Sequence, residues 1–218
     1  MITLVAVLVV LVLAVTGWGF RLVDDLTAMQ CFERGHEGRT VALGDSITLG
    51  KGDPAWNVQG DQSWFSYATC DGGYGWNAGI NGNTTQQMLA RFGPDVAAHH
   101  PRQVVLLGGT NDVFQGVPAD VTTQHLADLI SRAKALPAVV RIGTIPPFSD
   151  PALRPRGEAL NGRIRQLAAA EHVGLVDFYG AVALHGSYRP GWTYDGIHPT
   201  ASAARAMGET YRRAAAGR

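Results

Sequence analysis

The stretch TVALGDS, residues 40–46, places a short apolar run directly before Gly44, Asp45 and Ser46. The run from Thr40 to Leu43 is too short for a typical helix and ends at a glycine, as expected of a buried strand in a parallel sheet. Ser46 would then lie at the carboxyl edge of that sheet, where open α/β sheets bind their ligands. The stretch therefore predicts a fold class and the edge of the sheet that carries the site.

Further apolar runs follow at intervals, and segments of helical periodicity separate them. The other predicted strands are Tyr74–Asn77 (the weakest), Gln103–Leu107, Ala138–Ile142 and Val173–Val176. The predicted helices are Gln62–Thr69, Thr84–Arg91, Ala119–Ala135, Arg156–His172 and Thr200–Ala215. This alternation predicts a doubly wound α/β domain with a mostly parallel sheet of about five strands.

The N-terminal segment is set apart by its lack of charge. The chain has 218 residues with 18 basic and 18 acidic side chains, yet residues 2–20 contain none of them. As a helix, this segment would extend about 28 Å, close to the ~30 Å hydrocarbon core of a bilayer. We therefore predict a hydrophobic helix over 1–20, a lead-in over 21–39 and a folded domain over 40–218. The helix would be a membrane anchor or a cleaved signal peptide, and the protein would be exported or secreted.

Composition argues against two classes of function. The formal net charge is zero, whereas nucleic-acid binders normally carry a basic excess. Cys31 and Cys70 are the only cysteines, and no Cys-x-x-Cys pair is present, so a zinc site is not expected. In an oxidising compartment the two cysteines are expected to form a disulfide, and the alternative is a pair of buried free thiols.

Ser46 and a C-terminal segment, Asp195 to Pro199, supply a candidate nucleophile and base. A serine hydroxyl is a weak nucleophile that needs a base, an orienting acid and donors for the oxyanion. Asp195 precedes His198 by three residues, so its carboxylate can accept a hydrogen bond from one imidazole nitrogen while the other faces the serine. Taken singly, Ser46 is more typical of a helix N-cap, and His198 of a surface residue.

Two glycine- and asparagine-rich segments offer hydrogen-bond donors at the same predicted edge. Gly79 lies in the loop before a predicted helix, and Asn111 directly follows the strongest predicted strand. Either residue alone is more typical of ordinary turn chemistry. All four segments, however, follow strands or precede helices, which would bring them together.

Together the four segments resemble the sequence blocks of the SGNH hydrolases, the GDSL-type esterase/lipase family. The matching blocks are Gly44–Ser46, Asn77–Gly79, Gly109–Asp112 and Asp195–Pro199, in family order. The resemblance implies a flavodoxin-like three-layer α/β/α sandwich and a serine esterase that works through an acyl-enzyme without a metal or organic cofactor.

The resemblance also assigns roles. It implies that Ser46 is the nucleophile, His198 the base and Asp195 the orienting acid. The oxyanion would be bound by the Ser46 N–H, Gly79 and Asn111. Asp45 and Asp112 would be structural hydrogen-bonding residues.

The substrate stays open among an acetylated sugar, a short-acyl ester and a lysolipid. Six aromatic residues in or beside the predicted loops can stack on sugar rings, line an acyl groove or simply pack: Trp56, Trp64, Trp76, Tyr188, Trp192 and Tyr194. An O-acyltransferase would use the same Ser46 and His198 with a sugar or lipid acceptor. A non-catalytic, membrane-tethered binding protein is the remaining alternative.

Overall fold

Five parallel strands form the central sheet of the computed structural model, which describes residues 40–52, 60–69 and 75–217. The strands are β1 (Thr40–Gly44), β2 (Gly75–Gly79), β3 (Gln103–Leu107), β4 (Val139–Gly143) and β5 (Gly174–Val176). Their order is β2-β1-β3-β4-β5, with every neighbouring pair parallel. This is the flavodoxin-like order, and it confirms the predicted sheet.

Helices cover the sheet in two layers. The helices are α1 (Ser46–Leu49), α2 (Trp64–Ala68), α3 (Thr85–Ala90), α4 (Phe92–Asp95), α5 (Thr110–Gln115), α6 (Ala119–Lys134), α7 (Arg154–Ala170), α8 (Phe178–Val182) and α9 (Ala201–Ala216). A 3₁₀ turn covers Ala97–His99, and β6 (Ala183–Leu184) and β7 (Ser187–Tyr188) form a small hairpin. In one layer α2 and α8 pack against α9, and in another α6 packs between α3 and α7. The predicted α/β/α sandwich is confirmed.

Trp64, which the sequence places in the predicted helix Gln62–Thr69 beside a loop, is a core residue. It lies in α2 with no exposed surface. Its ring centroid is 4.8 Å from that of Phe178 in α8 and 5.6 Å from that of Tyr211 in α9. A buried aromatic ring removes about 150–250 Å² from water, so Trp64 joins the three elements of one helical layer rather than meeting a ligand.

Several predictions about the N-terminal part lie outside the described residues. These are the helix over 1–20, the lead-in over 21–39 and the disulfide between Cys31 and Cys70. Trp56 also lies outside the described ranges. Within the described part of the chain, no helix is both long enough and apolar enough to cross a membrane.

Candidate active site

Ser46 is the first residue of α1, which begins immediately after β1. Asp45 caps this short helix, because its Oδ1 accepts a hydrogen bond from the Ile47 N–H at 2.9 Å. The carbonyl oxygen of Gly44 accepts from the Ile80 N–H at 3.2 Å and from Arg91 Nη2 at 2.7 Å. The turn that presents Ser46 is thus fixed on both sides.

The segment from Thr193 to Pro199 places the histidine. Both the Ile197 and His198 N–H groups donate to Oδ1 of Asp195, at 2.9 and 2.8 Å. The His198 carbonyl accepts from the Thr193 hydroxyl at 2.8 Å, and the Ile197 carbonyl accepts from the buried Tyr188 hydroxyl at 2.8 Å. Because the Asp195 side chain accepts hydrogen bonds from the backbone two and three residues later, it holds this turn in one conformation.

A continuous hydrogen-bonded chain joins the three predicted catalytic side chains. Ser46 Oγ lies 2.8 Å from His198 Nε2, and His198 Nδ1 lies 2.6 Å from Asp195 Oδ2. Partial burial opposes ionisation of Asp195, but its hydrogen bonds from His198 and Ile197 outweigh that effect and lower the pKa of the carboxyl below its ordinary value. An ionised Asp195 accepts from Nδ1–H and leaves Nε2 free to accept the serine proton.

Ser46 and His198 border a cavity of about 380 Å³ at the carboxyl edge of the sheet. Its lining comprises Ser46, Gly50, Lys51, Gln62, Asn81, Gly82, Asn111, Tyr194, His198 and Pro199. One amide hydrogen of Asn111 donates to the Asn83 carbonyl at 3.0 Å. The carboxamide has a second N–H, which is available to a ligand. Across the described ranges no group of three histidine, cysteine or acidic side chains is arranged to hold a metal ion.

Gly79, predicted as an oxyanion donor, does not line this cavity. Its N–H already donates to Asn77 Oδ1 at 2.9 Å, and the residue is buried at the end of β2, away from the cavity lining. A Cβ at this position would lie 2.4 Å from Leu49 N and 2.9 Å from the Asp45 carbonyl. Gly79 is therefore glycine because β2 and α1 approach each other closely here.

Gly82, three residues after Gly79, does reach the cavity. It lines the cavity at φ +74°, and its N–H has no acceptor among the described residues. A sequence signal for it does exist: Asn81-Gly82 is a dipeptide typical of tight turns, and it ends two residues before Thr84, the N-cap of α3. The glycine of the matched Asn-Ala-Gly block, Gly79, therefore does not reach the cavity, whereas Gly82 does.

Comparison with known proteins identifies the family. The GDSL-like lipase/acylhydrolase family matches residues 42–206. The chain belongs to this family. It is therefore an ester hydrolase, and the family implies small-molecule ester substrates. The resemblance inferred from the four sequence blocks is confirmed.

Relatives of this GDSL hydrolase carry lipolytic and thioesterase names. Thioesterase 1/protease 1/lysophospholipase L1 of Escherichia coli K12 is 30% identical over 170 residues, which are 75% of this chain and 76% of that protein. Esterase TesA of Pseudomonas aeruginosa is 31% identical over 173 residues, 75% of this chain and 80% of that protein.

Solved structures agree on the fold. A GDSL-like lipase from Bacteroides thetaiotaomicron has a TM-score of 0.67 at 26% identity, covering 88% of this chain and 96% of its own. A variant of an acetyl xylan esterase from Geobacillus stearothermophilus has a TM-score of 0.72 at 21% identity, covering 82% and 94%. At that identity the second likeness establishes the fold alone.

Arg91 is a residue of this GDSL site that sequence reasoning missed. Its guanidinium donates to the carbonyls of Gly44 and Ala78, at 2.7 and 2.9 Å, and to Asn83 Oδ1 at 2.7 Å. Asn83 in turn holds Asn111 through its carbonyl. A planar fork of donors can join several acceptors at once, so Arg91 connects the end of β1 with the loop that anchors Asn111.

Of the predicted aromatic residues within the described ranges, Tyr194 lines the cavity and the others do not. Trp76 is stacked on His99 with ring centroids 4.0 Å apart, and Trp192 lies under Arg189. Tyr188 is buried and supports the His198 turn. Packing therefore accounts for Tyr188 and Trp192, whereas Trp76 is partly exposed and lies away from the cavity lining.

Asp45 gives the hydrolase a testable dependence of stability on pH. The side chain is fully buried, and its Oδ2 has no hydrogen-bond partner among the described residues. Burial raises the pKa of Asp45 from 3.8 to about 7. Because the folded state keeps a proton that the unfolded state releases, stability falls as pH rises from about 4 to about 7, by up to about 4 kcal/mol.

We expect Asp45→Asn to be more stable than the parent at pH 8, with the difference shrinking towards pH 4, because asparagine keeps the acceptor for the Ile47 N–H without a buried charge. Urea unfolding at pH 4, 6 and 8 measures this. Asp128→Asn, on the surface of α6, is the matched control. Equal pH dependence in Asp45→Asn and the parent would contradict the prediction.

Proposed function

We propose that the chain hydrolyses carboxylic esters through a covalent acyl-enzyme, with Ser46 as nucleophile, His198 as base and Asp195 as orienting acid. The observation that carries the proposal is the hydrogen-bonded chain from Ser46 Oγ through the imidazole to Asp195, at the border of the cavity. A serine with this pair of partners has the arrangement that activates a hydroxyl for acyl transfer.

In the first half-reaction Ser46 Oγ attacks the ester carbonyl while its proton passes to His198 Nε2. The resulting imidazolium is stabilised by Asp195, whose lowered pKa keeps it ionised. His198 then gives the proton to the leaving alcohol oxygen, which releases the alcohol and leaves an acyl group on Ser46. In the second half-reaction a water molecule transfers its proton to His198 and attacks the acyl carbonyl, and the free acid leaves as Ser46 recovers its proton.

Three N–H donors would bind the oxyanion that forms in each half-reaction. They are the backbone N–H groups of Ser46 and Gly82 and the free amide hydrogen of Asn111. Gly82 and Asn111 support this role because both line the cavity with Ser46. Removal of one such donor typically lowers kcat about 10²- to 10³-fold.

We further propose a short-acyl ester or thioester as the substrate class. A cavity of about 380 Å³ is near the small end of ligand sites. The curated relatives' thioesterase and lysophospholipase names support an acyl group carried on sulfur or on a lipid alcohol. No observation on the described residues favours acyl transfer to a sugar or lipid hydroxyl over transfer to water.

A fluorophosphonate probe tests the acyl-enzyme directly. We expect one equivalent of probe to label the protein, to be located on Ser46 by mass spectrometry of peptides, and to abolish turnover of 4-nitrophenyl acetate in proportion to labelling. Prior incubation with a slowly hydrolysed ester should protect Ser46. Turnover that persists in fully labelled protein, or an adduct on another residue, would overturn the proposal.

A further inference from the structure

Lys51 and two neighbouring residues of a distant segment, Tyr194 and His198, form a column at the cavity. The imidazole of His198 is stacked nearly parallel to the Tyr194 ring, with centroids 5.7 Å apart and planes at 11°. Lys51 Nζ lies 4.4 Å from the centre of the same Tyr194 ring. A ring face attracts a cation, so Tyr194 holds the ammonium group of Lys51 beside the proposed base.

The charge of Lys51 is not neutralised within the described part of the chain. No carboxylate there lies within 4.0 Å of its ammonium group, and no acidic side chain contributes to the cavity lining. The two nearby acids of the site are engaged otherwise, because Asp195 is bound to His198 and Asp45 is buried. Burial and the charge of Asp195 raise the pKa of Tyr194, so its phenol stays neutral and supplies no counter-charge.

The backbone also places Lys51 at a conformational cost. Its φ is +63°, in the left-handed region that a side chain other than glycine rarely adopts. Strained positions of this kind concentrate at functional sites. A glycine would relieve the strain, so stability alone does not account for a lysine here.

A second polar group of the cavity has no partner. Gln62 Oε1 is shielded from solvent and makes no hydrogen bond to the described residues, although Gln62 lines the same cavity as Lys51. A buried amide oxygen without a donor favours a ligand with polar groups over a purely hydrocarbon chain. Besides the proposed oxyanion donors, the cavity lining therefore carries the positive charge of Lys51 and the unpaired oxygen of Gln62.

We propose that Lys51, held on Tyr194, is a specificity-determining residue that selects esters carrying a negatively charged group, a carboxylate or phosphate, near the scissile bond. This inference rests on the proposed function, since it concerns the substrate of the same site. The charged group can belong to the acyl part or to the alcohol part of the ester, and the experiment below separates the two.

The test compares kcat/KM for pairs of esters that differ only in charge. In the acyl arm, the 4-nitrophenyl monoester of adipic acid is compared with that of adipic acid monoamide. In the alcohol arm, 4-acetoxybenzoate is compared with 4-acetoxybenzamide. We expect the anionic ester to be preferred about two- to fivefold in at least one arm, the range of an exposed ion pair. The preference should shrink between 0.05 and 0.5 M NaCl, because salt screens such pairs.

Variants assign the preference to the residue. The anionic-to-neutral ratio should fall to about one in Lys51→Gln and below one in Lys51→Glu. Lys51→Gly should lose the preference while its Tm is unchanged or higher, an outcome that a purely structural role would not give. Lys134→Gln, whose lysine pairs with Glu171 away from the cavity, should keep the parent ratio.

The outcomes separate this inference from the proposed function. Neutral esters hydrolysed with no anionic preference in either arm would overturn the inference and leave the proposed function intact. A preference that survives in Lys51→Gln would also overturn it. Absence of turnover with every ester would instead contradict the proposed function.

Discussion

Replacing Ser46 with alanine should lower kcat for ester hydrolysis about 10⁶-fold, which is the scale of losing the nucleophile of a serine triad. The fold should be unaffected, because the substitution removes only the hydroxyl that contacts His198, and Ser46 is partly exposed. The remaining rate over water would come from the oxyanion donors and from binding alone. Steady-state and single-turnover assays with a 4-nitrophenyl ester measure the effect.

A matched control keeps the Ser46 result interpretable. Ser131→Ala removes an exposed serine hydroxyl on α6 and should leave kcat unchanged. Both variants should keep the parent's circular dichroism spectrum and Tm. Retention of more than about a thousandth of the parent kcat in folded Ser46→Ala would assign the nucleophile to another residue.

Asp195→Asn is expected to lower kcat about 10⁴-fold at neutral pH. Asparagine retains the Oδ1 that accepts from the Ile197 and His198 N–H groups, so the turn persists. At the Oδ2 position, however, an N–H₂ group replaces an acceptor. Nδ1 of His198 must then accept, which puts the proton on Nε2 and points it at Ser46, so the imidazole can no longer act as a base.

The Asp195 result has a close structural control. Asp150 also accepts a hydrogen bond from an amide two residues later, the Ala152 N–H at 2.8 Å, but lies away from the cavity lining. Asp150→Asn should therefore retain full activity. If Asp195→Asn loses less than tenfold in kcat while its fold is intact, Asp195 is not the orienting acid.

The sequence predicted the features that depend on short-range patterns. β1, β3 and β4 are largely buried, mostly apolar runs, and the observed bounds of all five strands lie within two residues of the predicted ones. The short helices α1, α4, α5 and α8 were not predicted, because four to six residues contain too little periodicity to register.

What the sequence did not reveal depends on contacts between distant residues. Gly79 and Gly82 lie in the same glycine-rich segment. Only the assembled structure shows that the Gly79 N–H is bonded to Asn77 where β2 packs closely against α1. The contacts of Arg91 with β1, and of Lys51 with Tyr194, join elements that no local pattern relates. These contacts form only once the strands have assembled in their order in the sheet, so a local sequence pattern does not reveal them.

The hydrogen bond between Ser46 and His198 spans 152 positions of the sequence. Ser46 directly follows β1, whereas His198 lies beyond β5 and the small hairpin, so only the assembled sheet brings the two side chains together. Local opening that detaches the segment after β7 would separate the proposed nucleophile from the proposed base while most of the sheet stays folded. Esterase activity should therefore be lost at a lower denaturant concentration than the secondary structure of the domain.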